Sequence, residues 1–77
     1  MSQITPAYEL GRARRLARLI DQHRRDGKAE LATKNLVNLE LLMDDAFDRS
    51  ESATNSTDSE AWINTARNAR RVLIRAK

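Results

Sequence analysis

The chain has 77 residues, a formal net charge of +3, two glycines, one proline and no cysteine. An average domain takes ~150 residues, so one domain at most fits here, and a cofactor domain beside a substrate domain is excluded. Without cysteine there is no disulfide framework, no thiolate metal site and no cysteine nucleophile.

No apolar run approaches the ~20 residues needed to span a bilayer. The opening Met1-Ser2-Gln3-Ile4-Thr5-Pro6 has no basic region followed by an apolar core, so it does not read as a secretory signal. The expectation is a soluble, cytoplasmic domain with no membrane contact. Charge is segregated along it. Residues 1–29 carry seven basic and three acidic side chains, residues 30–60 two and eight, and residues 61–77 five and none. Eleven of the basic residues are arginine, whose planar fork pairs in bidentate fashion with carboxylate or phosphate. The basic blocks either flank the acidic block within the fold or hold an external anion.

The first predicted helix spans about 6–26. Thr5 is suited to cap it, Pro6 has the backbone angle of a first helical residue, and Glu9 sits near the positive end of the dipole. Leu10, Ala13, Leu16, Ala17 and Ile20 share one face at helical period, with Leu19 and His23 at its edge. Gly11 is an interior defect of about 1 kcal/mol relative to alanine. Arg24 and Arg25 occupy the last turn, and Asp26-Gly27 ends the helix with a left-handed cap.

The second predicted helix spans about 28–50. Leu31, Ala32, Leu36, Leu39, Leu42, Met43, Ala46 and Phe47 form a broad apolar face, while Val37 and Leu41 point to nearly the opposite side. A surface helix needs only one apolar stripe, so this helix is expected to be central, with its back against helix three or another molecule. Residues 51–57 read as a flexible polar loop. Thr57 stands three before Glu60, at capping-box spacing. The third helix is predicted over about 58–75, with Trp62, Ala66, Ala69, Leu73 and Ala76 on one face and Ile63 and Val72 on its margins.

The fold class is therefore all-α: a single domain over 1–77, a helical hairpin plus a third helix in a three-helix bundle, with a packed or helix-exchanged homodimer as second choice. The expected core is Leu16, Ile20, Leu36, Leu39, Leu42, Phe47, Trp62 and Leu73. Only three aromatics are present. A core so thin favours self-association, a common remedy for small domains.

No catalytic constellation emerges, and the chain reads as a non-enzyme without cofactor or metal. Asp44-Asp45-Ala46-Phe47-Asp48 has the spacing of the aspartate-rich motif of prenyl-diphosphate synthases, but 77 residues cannot enclose a polyisoprenyl chain or supply the second acidic motif. These carboxylates read as a solvated face. His23 has no second histidine to work with and reads as edge-of-core packing. Neither a Walker nor a dinucleotide-binding glycine pattern occurs.

Three surface features point to partners. On helix one, Arg14, Arg15 and Arg18 face away from the core. On helix three, Arg67, Arg71 and Arg75 line up at i, i+4, i+8, with Asn64 and Asn68 beside them, suited to an acidic protein or to phosphate and base edges. No aromatics interleave with these rows, which disfavours stacking on single strands. The second helix carries Glu40, Asp44, Asp48 and Glu51 beside Val37 and Leu41, an apolar pair rimmed by carboxylates, as in a secondary protein interface. A helix-turn-helix at Gly27 fits poorly, because Gln22, Asp26 and Lys28 stand where apolar residues belong and the recognition helix would be acidic.

The segment 31–49, opening Leu31-Ala32, resembles the central helix of phage cyclic-oligonucleotide sponges. Those are oligomeric helical proteins that bind nucleotide messengers of anti-phage defence. The likeness covers under a third of the chain. Leu42-Met43-Asp44 replaces the Trp-Ala-Asn run of that helix, helix three has no counterpart, and no residue roles transfer.

The function expected from all this is non-enzymatic binding to a macromolecule, protein first, as an inhibitor, adaptor or regulator of the size that phages and mobile elements encode. The alternatives are an RNA- or DNA-binding regulator that uses the arginine stripes, and an oligomeric sponge for a small nucleotide.

Overall fold

The computed structural model describes residues 4–77. The reading of the N-terminus as lacking a signal rests partly on residues 1–3, which lie outside the described residues. Among those described there are three helices and no strand: α1 (Pro6–Arg25), α2 (Ala29–Ser52) and α3 (Ser56–Ala76). Each helix packs on both others, which makes a three-helix bundle. No helix is long and apolar enough to cross a membrane.

The ends follow from local chemistry. The Thr5 side chain accepts a hydrogen bond from the Tyr8 N–H at 3.1 Å, with Pro6 at the first helical position. At the other end Gly27 has φ +73°. Its N–H donates to the Arg24 carbonyl at 3.2 Å, and the Lys28 N–H to the His23 carbonyl at 2.7 Å. That pair of reversed bonds is a Schellman cap, and it needs the left-handed residue that glycine supplies without strain.

The connection between α2 and α3 corrects the sequence reading. It is three residues, 53–55, and not a loop over 51–57. Thr57 is no cap. Asn55 takes that role, its Oδ1 accepting from the Asp58 N–H at 2.8 Å while its amide donates to the Asp58 carboxylate at 3.2 Å. Asparagine caps at least as well as threonine, and an earlier start adds helical bonds. The polar residues on either side remain ordered by their own hydroxyls. Ser50 Oγ donates to the Phe47 carbonyl at 2.6 Å, and Ser59 Oγ donates to the Ser50 carbonyl at 3.0 Å, tying α3 to the end of α2.

The core comprises Ala13, Leu16 and Ile20 of α1, Ala32, Leu39, Leu42 and Ala46 of α2, and Trp62, Ala66, Ala69 and Leu73 of α3. Alanines bring the helix axes close, and Leu39 and Ile20 are the largest side chains fully enclosed. Leu36 and Phe47, expected within the core, are half-buried and pack against its margin. Leu31 and Leu19 are exposed. For Leu31 the reason is length: Lys77, just beyond α3, meets Glu40, so the opening turns of α2 overhang α3, whereas Leu19 lies at the edge of the apolar face of α1.

Candidate partner-binding surface

Two polar contacts fix how the arginine rows sit. The Thr65 hydroxyl donates to the Pro6 carbonyl at 3.0 Å, which sets the start of α1 beside the third turn of α3. Ala17 and Asp21 line one shallow groove of about 260 Å³ together with Val72, Arg75 and Ala76. Both helices therefore run in the same direction, α1 and α3 parallel, each antiparallel to α2.

On α1 the flank that carries Ala17 and Asp21 also carries Arg14 and Arg18, at helical spacings of three, four and seven. On α3 the flank that carries Val72 and Arg75 also carries Asn64, Asn68 and Arg71. The two arginine rows, 53 residues or more apart in the chain, thus lie on neighbouring parallel helices on one side of the bundle, and Arg75 lines the groove between them. Arg14, Arg18, Arg71 and Arg75 are exposed, and none forms an ion pair among the described residues. Asp21 is the acid on this face, and it lies 3.9 Å from Arg25. Asn64 is exposed, whereas Asn68 is half-buried and donates to the Asn64 carbonyl at 2.9 Å.

The structure does not bring every predicted site residue to this groove. Arg15 turns away and sits 5.9 Å from the Tyr8 ring centroid in a cation–π contact. Arg67 lies on the other flank of α3, at i, i+4, i+7, i+11 with Ile63, Arg70 and Ile74, and it borders a shallow depression with Glu60, Ile63 and Asn64. The straight row Arg67, Arg71, Arg75 is thus divided, because positions four apart drift ~40° around a helix of 3.6 residues per turn.

The back of α2 forms a second surface. Val37 is 47% exposed and Leu41 61%, so α3 does not cover them. Asp44 and Asp48 follow on the same exposed ridge. Glu40 stands at its edge, where Lys77 Nζ approaches its Oε1 at 3.4 Å. Asp45 pairs with Arg49 Nε at 2.8 Å, and that guanidinium also lies 5.3 Å from the Trp62 ring centroid, shielding it. Ile74, which sequence reading missed, is 62% exposed on the flank of α3 that adjoins α2.

Two buried polar groups stand apart from both surfaces. Glu9 is 2% exposed; its Oε2 lies 3.5 Å from Arg12 Nη1, while Oε1 has no hydrogen-bond partner among the described residues. His23 is half-buried with Nδ1 unpartnered. Among the described residues no three histidine or carboxylate side chains gather closely enough to hold a metal ion. No family of known proteins matches the chain, and neither a curated protein nor a solved structure matches it significantly.

Proposed function

We propose that the chain is a non-enzymatic binding protein that docks an acidic partner protein on the arginine-lined face of α1 and α3. It would serve as a cytoplasmic inhibitor, adaptor or regulator of the kind phages and mobile elements encode. One observation carries this reading: parallel packing sets the exposed Arg14 and Arg18 of α1 on the same side of the bundle as the exposed Arg71 and Arg75 of α3, with Arg75 lining the groove between the helices and none of the four ion-paired among the described residues. Four forks on one face attract and orient carboxylates, and their net positive field, with Asp21 as the acid among them, speeds encounter with an acidic surface. The half-apolar groove of Ala17, Val72 and Ala76 supplies the non-polar centre that a stable contact needs.

The same four arginines, with Asn64 beside them, favour nucleic acid as the second reading, since phosphate satisfies the same forks. Capture from a nuclease-treated lysate of the native host separates the two. The protein reading expects a specific partner that the wild type retains after nuclease treatment and that Arg14→Glu/Arg18→Glu/Arg71→Glu/Arg75→Glu loses. Nucleic-acid binding instead gives copurifying nucleic acid and an affinity that falls with salt at a log–log slope of about −0.9 per phosphate contacted. Equal capture by wild type and variant would overturn both.

A further inference from the structure

The geometry points to a second copy of this chain as the occupant of the α2/α3 face, in a two-fold dimer. The inference does not rest on the arginine groove, which lies on the other flank of α3. It starts from three exposed aliphatic side chains, Val37 and Leu41 on α2 and Ile74 on α3. The Glu40–Lys77 ion pair brings Val37 and Ile74 to one level, since Glu40 is three residues after Val37 and Lys77 three after Ile74, and Leu41 follows Val37 at i+4 on the exposed ridge of α2.

The charges beyond this apolar group are arranged in two rows. Asp44 and Asp48 continue the ridge of Val37 and Leu41 on α2, while Arg67 and Arg70 continue the flank of Ile74 on α3. The antiparallel register fixed by Ser59 on Ser50 and by Lys77 on Glu40 sets Asp44 level with Arg70, and Asp48 level with Arg67, to within about one helical turn. None of these four side chains is ion-paired among the described residues. The face is therefore apolar at the end held by Val37, Leu41 and Ile74, and beyond it acidic along α2 and basic along α3, where Glu60 borders Arg67.

Such a face is complementary to its own image. A two-fold axis parallel to the helices sets α2 of one copy opposite α3 of the other at the same level. The acid row then meets the partner's basic row twice, and the apolar end meets itself. An isologous contact requires this self-complementarity. A foreign surface of one charge would satisfy one row and repel the other, at a cost in specificity and association rate. The core, rich in alanine, also gains from the added apolar burial.

Sedimentation equilibrium of the full chain at micromolar concentration tests the proposal with two reversal sets, Asp44→Lys/Asp48→Lys and Arg67→Glu/Arg70→Glu. All four positions are exposed, and circular dichroism verifies that each set remains helical. The wild type is expected at twice the chain mass of 8.8 kDa. Each set alone brings like charges together at both contacts and is expected at the single mass. An equimolar mixture of the two sets restores opposite charges at both contacts and is expected to return to twice the mass. A monomeric wild type, a set that remains dimeric alone, or a mixture that remains monomeric would each overturn the proposal. If either set loses its helical signal, Leu41→Glu takes its place: the single mass supports the interface, and an intact dimer refutes it.

Discussion

The hydroxyl of Thr65 donates to the carbonyl of Pro6 at 3.0 Å across 59 residues of chain. This bond sets the start of α1 beside α3 and, through the parallel run that follows, brings the two arginine rows to the same side of the bundle. A neutral hydrogen bond of this kind contributes about 1 kcal/mol. Thr65→Val, which keeps the volume at a buried site, is expected to lower stability by about that amount in urea denaturation, with the midpoint shifted and the slope unchanged. No shift would mean that side-chain packing alone holds α1 against α3.

The two glycines are expected to respond with opposite sign. Gly11 lies inside α1, and a methyl group added there meets nothing within 4 Å. Gly11→Ala is expected to stabilise by about 1 kcal/mol, a rise of about 4–8 °C in Tm for a domain this small. Gly27 also has open space but holds φ +73°, where alanine is strained by about 1–2 kcal/mol. Gly27→Ala should lower Tm. A matching sign for the two variants would contradict the cap.

Opposite faces of α2 give a sharper contrast. Leu39 is fully buried and Leu41 61% exposed, two positions apart. Leu39→Ala leaves a cavity and is expected to cost about 2–5 kcal/mol, enough to unfold so small a domain. Leu41→Ala is expected to change monomer stability by about 0.5 kcal/mol or less. Thermal melts at concentrations low enough to keep the chain monomeric make the comparison. Equal losses would place both residues in the core.

Glu9 carries a buried carboxyl with one oxygen unpartnered, and its contact to Arg12 is long at 3.5 Å. An unsatisfied buried acceptor costs about 1–3 kcal/mol, more when charged. Glu9→Gln keeps shape and helix propensity while removing the charge. It is expected to raise Tm at neutral pH, and a fall of several degrees would show that Arg12 compensates the carboxylate fully.

The helix ends at Pro6 and Gly27 were legible because backbone restriction is written in those residue types. The polar run after Ser50 was not, since its order depends on Ser59 reaching the Ser50 carbonyl, a tertiary bond. Glu9 reads from the sequence as a residue near the positive end of the α1 dipole, and only the approach of the other helices buries it. Val37 and Leu41 stood out as an apolar back because their own helix sets the period. Ile74 did not, since beside the buried Leu73 it looks like more of the same apolar segment. Arg14 and Arg18 were visible as one row and Arg71 and Arg75 as part of another. That they lie on one side of the bundle follows from the parallel packing of α1 and α3, which no local pattern records.

The most direct test of the central claim compares partner binding by two charge-reversed proteins, each shown to be folded by circular dichroism. Arg14→Glu/Arg18→Glu/Arg71→Glu/Arg75→Glu reverses the groove of α1 and α3, and Glu40→Lys/Asp44→Lys/Asp48→Lys reverses the back of α2. The captured partner's affinity for each is measured by titration calorimetry at physiological salt. The account expects the arginine set to abolish binding, a loss of at least a hundredfold or about 2.8 kcal/mol, while the acidic set stays within a few-fold of wild type. Binding lost with the acidic set and kept with the arginine set would contradict it.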